Sequence, residues 1–212
     1  MDLEEKIKAG REYRRMTVAV DEAQDYKVRG YATTFNKRYQ IYSSGDVIFD
    51  EEVDSRAFDG ADLSDVIFQY DHVGRVFART ANNTLSLTPD SHGLKVEAYL
   101  GGTEIGKQLY GEIKGGYTDK MSFGFRVKND EITEENRDGK HYYHRKITAF
   151  AKVFDVSAVS IPANDGTEIS ARSLSDGVIA KAEAERLLEA EKRKSIDELK
   201  TKIDKLLKGE KK

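Results

Sequence analysis

The sequence predicts a mainly β protein (α+β) with a few helices and a helical C-terminal tail. Between Thr17 and Ile169 many short β-prone runs are separated by Gly, Asn and Asp turns, which is the pattern of a barrel or sandwich. One stretch breaks that pattern with a helical period, and the composition shifts past residues 162–166, becoming rich in Lys, Glu, Leu and Ala from about Val178. The expected strands are residues 17–20, 26–32, 66–70, 75–80, 85–88 and 94–100, followed by 122–128, 142–150 and 153–161. The helix belongs to residues 103–113: Ile105, Leu109 and Ile113 fall four apart on one face, and Thr103 is placed to cap it. It leads straight into the strand that carries Ser122. Residues 128–140 are acidic and turn-rich, so an exposed, mobile loop is expected there.

Three segments follow: a charged N-terminal segment at 1–16, a globular domain at 17–171 and a charged helical tail at 172–212. In the tail, Ile196, Leu199, Ile203 and Leu206 make a 3-4-3 apolar stripe of about two heptads. Such a helix docks on its own domain, frays in solvent or recognises a partner. A chain of 212 residues supports one core of ordinary size. With no cysteine, thiol nucleophiles, disulfide scaffolds and cysteine-ligated zinc are excluded. A formal net charge of −3 carries no footprint for nucleic acid, and none is expected as a partner. The N-terminus lacks the apolar core of a signal peptide and no stretch is long enough to span a bilayer, so a soluble protein of the cytoplasm is expected.

The chemistry is then limited to oxygen and imidazole. A hydroxyl becomes a useful nucleophile when a base takes its proton, and the base needs a third group to hold its orientation. His72 ends the run Phe68-Gln69-Tyr70-Asp71-His72, Ser122 lies in Met121-Ser122-Phe123-Gly124-Phe125, and Asp155 interrupts Val153-Phe154-Asp155-Val156-Ser157. Taken singly, Ser122 is more often a structural strand serine and His72 a satisfied histidine at the rim of a core. Alternation puts Ser122 and Gly124 on one face and Met121, Phe123 and Phe125 on the other. A glycine beside the serine suggests room for another backbone to approach. Asp155 tells more, because a carboxylate in so apolar a strand costs several kcal/mol unless it is paired. His72 could pair it; so could an arginine or backbone amides. His92 sits in a turn. His141 and His144 flank two tyrosines, with no third ligand at a convincing spacing for a metal. No cofactor and no metal are expected.

Gly30-Tyr31-Ala32, Phe68-Gln69-Tyr70-Asp71-His72, the helix ending Leu109-Tyr110, Met121-Ser122-Phe123-Gly124-Phe125, and the run from Asp155 through Pro162-Ala163-Asn164 occur in order. Together they resemble the prohead (procapsid maturation) serine proteases of tailed bacteriophages, over residues 17–171. The resemblance implies a closed or partly open β-barrel related to the herpesvirus assembly proteases, with Ser122 as nucleophile and His72 as general base. It implies an endopeptidase that cleaves scaffold and major capsid protein segments, and itself, inside the procapsid in the host cytoplasm, with self-association as a further expectation. Asp155 takes the third position. The family often has Glu there and the herpesvirus relatives a second His, for which His144 is the alternative. The rival function is a non-catalytic scaffold or capsid-assembly protein that binds partners through barrel and tail.

Overall fold

The computed structural model describes residues 10–159 and 191–203, together with Glu5, Gly177, Ala180 and Leu188. Contacts divide the chain into two units, Met1–Arg172 and Ser173–Lys212. In the first unit the strands are β1 (Glu12–Val20), β2 (Lys27–Thr34), β3 (Tyr39–Ser44), β4 (Val47–Val53), β5 (Ile67–Tyr70), β6 (Val73–Arg79), β7 (Leu85–Pro89), β8 (Gly93–Tyr99), β9 (Lys120–Arg137) and β10 (Lys140–Val159). A single α-helix, α1 (Glu104–Lys114), lies between β8 and β9 among the described residues of this unit that follow β1.

The strands form one sheet in the order β3-β4-β10-β9-β1-β2-β8-β7, with the β5–β6 hairpin branching from β10. The expected barrel does not close. Closure requires the end strands to pair, and β3 and β7 do not pair among the described residues. β10 is the reason for the branch: its first half lies parallel to β4 and its last residues parallel to β5. Register shifts between Ile147 and Asp155 bend the strand between those partners. The runs 142–150 and 153–161, separate in the sequence pattern, are thus parts of one strand, described as far as Val159. β1 likewise divides its partners, pairing with β9 from Glu12 to Thr17 and with β2 from Val18 to Val20.

The core sits on one side of this sheet, where Phe68, Met121, Phe123, Phe125, Phe150 and Val156 are buried. α1 lays Leu109, Tyr110 and Ile113 into the same core, and the Thr103 hydroxyl accepts from Gly106 N at 3.1 Å as its cap. Two further expectations need correction. β1 begins at Glu12 and not Thr17. The acidic stretch 128–140 is no loop: β9 and β10 continue as an antiparallel ribbon to the Arg137–Lys140 pair. Asp138 and Gly139 close it with φ of 53° and 73°, the signature of a two-residue type I′ hairpin. In the second unit residues 191–203 are helical, with Ile196, Leu199 and Ile203 half exposed. Leu206 lies outside the described residues.

Candidate active site

Residues directly opposite one another in an antiparallel ladder share a face. On β9, Ser122 lies opposite Ser157 of β10, and Gly124 lies opposite Asp155. On the other side of β9, Tyr13 of β1 faces Gly124. β5 adds Gln69 beside Ser157. Four strands therefore present a polar patch of Tyr13, Ser122, Gly124, Asp155, Ser157 and Gln69 on the face opposite the phenylalanine core. The patch is not open to solvent: Ser122 is 4% exposed, Asp155 1% and Ser157 fully buried.

His72 reaches this patch from the turn that follows β5. Tyr70 and Val73 pair across it, and Asp71 and His72 between them have φ of 48° and 60°, again the type I′ geometry. Asp and His tolerate the left-handed region better than most residues, yet each pays for its Cβ there. The imidazole meets Tyr13 and Asp155. Its ring meets Tyr13 edge to face, with centroids 4.4 Å apart, and Nδ1 donates to Oδ1 of Asp155. Ser157 Oγ donates to the same carboxylate oxygen at 3.3 Å. With Nδ1 carrying the proton, Nε2 is the basic nitrogen of the ring.

His72 and Asp155, 83 residues apart in sequence, are thus in direct contact. Ser122 joins them by register: one strand over from Asp155 and one pair along, it is a diagonal neighbour at a typical Cα spacing of about 7–8 Å. The space expected beside Gly124 for a substrate backbone is occupied. A Cβ on Gly124 would lie 2.7 Å from Asp155 Oδ2 and 2.7 Å from Cε1 of Tyr13. The glycine makes room for the carboxylate and the phenol ring.

His144, the alternative third member, is placed elsewhere on β10 than Asp155. It lies on β10 opposite Thr133 and beside Asp50 of β4, with Nε2 4.0 Å from Glu52. Burial, with Arg38 assisting, depresses its pKa below the ordinary imidazole value. His141 Nδ1 is 3.2 Å from Glu134, and among the described residues no group of three or more His, Cys, Asp or Glu is arranged to hold a metal. No described helix is long and apolar enough to cross a membrane.

Two further residues of the patch escape sequence reasoning. Ser157 could have been found as the neighbour two places along the strand from Asp155. Tyr13 is an aromatic residue in a segment that reads as charged throughout. Its phenol is pushed above its ordinary pKa, chiefly by burial and then by the Asp155 carboxylate, with Arg11 acting in the opposite sense. It remains protonated.

The described site thus holds an imidazole whose Nδ1 is bound to a buried carboxylate, with Ser122 on the same face of the sheet. The sequence model of the caudovirus prohead serine protease family matches residues 13–178. The chain belongs to that family, whose matched span takes in Tyr13, His72, Ser122 and Asp155. No curated protein and no solved structure matched the chain.

Proposed function

We propose that this protein is the serine endopeptidase of procapsid maturation, with Ser122 as nucleophile, His72 as general base and Asp155 as the group that orients the imidazole. The observation that carries this reading is the hydrogen bond from His72 Nδ1 to the buried Asp155, made on the face that Ser122 shares. Ser122 Oγ attacks a peptide carbonyl carbon while Nε2 of His72 takes the hydroxyl proton. The Asp155 carboxylate stabilises the imidazolium so formed. Collapse of the tetrahedral intermediate breaks the C–N bond, and the amine leaves with the proton from His72. Water, deprotonated by the same nitrogen, then releases the acyl group and restores Ser122. Family membership supports scaffold and capsid-protein segments as substrates, and the chain's own segments as a further one.

The test is incubation of the purified protein with its capsid and scaffold proteins, with fragments read by mass spectrometry. Ser122→Ala and His72→Ala should each lower cleavage at least about a thousandfold with circular dichroism unchanged, and Asp155→Asn should leave a larger residue of activity. Wild-type rates in Ser122→Ala would overturn the nucleophile assignment. An inert wild-type protein that still bound those partners would favour the scaffold reading.

A further inference from the structure

Asp155 uses one oxygen on His72 and Ser157; the other, Oδ2, is buried and accepts no hydrogen bond among the described residues. Nη1 of Arg11 is 3.9 Å from it. Arg11 immediately precedes β1, two residues before Tyr13, and its guanidinium carbon sits 3.8 Å from the centroid of the Phe154 ring. Phe154 falls at the register shift between Val153 and Asp155, so the irregularity in β10 sets the ring directly before the carboxylate. A guanidinium over an aromatic face is attracted by the ring and loses freedom to swing into solvent. The side chain is 22% exposed, so this charge is only partly screened.

We infer that Arg11 is a positioning residue of the candidate site: seated on Phe154, it faces Oδ2 of Asp155, balances that carboxylate's charge and leaves Oδ1 to His72. The inference rests on the catalytic reading of His72 and Asp155 given above. Tyr13 borders the pair as well: its ring meets His72 edge to face, and its Cε1 and Asp155 Oδ2 each lie 2.7 Å from where a Cβ on Gly124 would be. Other charges near the pair are Arg126 and Lys152, which lie 5.4 and 5.9 Å from the Phe154 centroid, and Asp71, the turn neighbour of His72. Lys152 is itself tied to Asp62 at 2.6 Å.

Arg11→Met keeps an apolar stem over Phe154 and removes the charge; Arg11→Lys restores it. The full-length protein labelled with 15N allows the imidazole titration of His72 to be followed by NMR, with His92, His141 and His144 as internal references. Removing a cation beside the pair makes imidazolium formation easier, so in Arg11→Met the His72 midpoint should move upward by about half a pH unit. Arg11→Lys should return it towards wild type, and the three references should not move. On a cleavable capsid-protein peptide, Arg11→Met should lower kcat several-fold at unchanged KM and move the acid limb of the rate profile in the same direction. A His72 midpoint that stays at the wild-type position in Arg11→Met would overturn the inference, as would an equal loss in Arg11→Lys. Failure of the catalytic reading is distinguishable: the wild-type protein would then cleave nothing and Ser122 would take no fluorophosphonate, while the titration would still decide the role of Arg11.

Discussion

Tyr13 and Arg14 are neighbours on β1 and point to opposite faces of the sheet, and each stands in a buried polar cluster of a different kind. On the Arg14 side every charge is answered. Arg14 donates to both oxygens of Glu51 at 2.6 Å and to the Tyr13 carbonyl at 2.8 Å. Arg145 donates to Glu12 at 2.6 and 2.9 Å, to Glu51 at 3.1 Å and to Asp130 at 2.7 Å, and Tyr39 donates to Glu51 at 2.6 Å. On the Tyr13 side the carboxylate of Asp155 has one oxygen engaged and the other facing a guanidinium beyond hydrogen-bond range. The first cluster joins β1, β3, β4, β9 and β10 and has no group left over for chemistry. The second is held less completely: among the described residues Asp155 Oδ2 has no hydrogen-bond partner.

The comparison is broken most directly at Glu51. Burial works to raise its carboxyl, and Arg14 followed by Arg145 overcome that, so Glu51 is held below the usual carboxylate range. Glu51→Gln leaves two buried guanidiniums short of a counter-charge and should cost about 3–5 kcal/mol in urea unfolding. The sign of the pH effect follows from the depressed value. The stabilisation is fully present above the unfolded glutamate value of about 4.3 and is lost as pH falls from there through the folded value. Wild-type stability should therefore decline in acid, and Glu51→Gln should flatten that decline. A variant as stable as wild type, with an unchanged acid limb, would show that the network does not hold these strands.

Gly124→Ala probes the second cluster with a single methyl. Its Cβ would meet Asp155 Oδ2 and Tyr13 at 2.7 Å, far inside contact distance, so the carboxylate or the ring must shift. Overpacking of this kind costs about 1–3 kcal/mol. The loss in peptide cleavage should exceed what the stability change explains, because the displaced group is the one that orients His72. Cleavage kinetics beside thermal melting would check this. Wild-type cleavage in a folded Gly124→Ala protein would remove the tight cradle from the account of the site.

Much of the second cluster was legible and almost none of the first. Asp155 stood out because a carboxylate in an apolar strand demands a partner, and His72 was one group able to answer it, beside an arginine or backbone amides. The partners of Glu51 are Arg14 and Arg145, 37 and 94 residues away, and long-range pairing leaves no local mark. The run Asp50-Glu51-Glu52 reads as solvated, so β4 and its neighbour β3 were missed with it. Tyr13 was lost for the same reason, among charges that pair across strands. The acidic ribbon misled by composition: residues alternating towards solvent on both faces resemble a loop until the ladder is seen. The barrel expected from the resemblance failed on β10, whose length lets it serve β9, β4 and β5 at once.

The smallest expected effect compares two turns with the same backbone. Asp138-Gly139 and Asp71-His72 both close two-residue hairpins with positive φ at each position, and glycine suits the second position while histidine does not. If His72 is kept there for chemistry, its backbone cost should be measurable where no chemistry depends on it. Gly139 is exposed, at φ 73°, and a Cβ added to it would meet nothing within 4 Å. Gly139→His thus adds no clash and transfers only the conformational penalty of a side chain in the left-handed region. It should destabilise the protein by about 1 kcal/mol and leave cleavage unchanged. Gly139→Ala should cost about the same, since the penalty comes from Cβ and not from the ring. Thermal melting of both variants beside wild type measures it. A neutral Gly139→His would mean that the turn accepts histidine freely, and the left-handed geometry at His72 would then carry no information about its role.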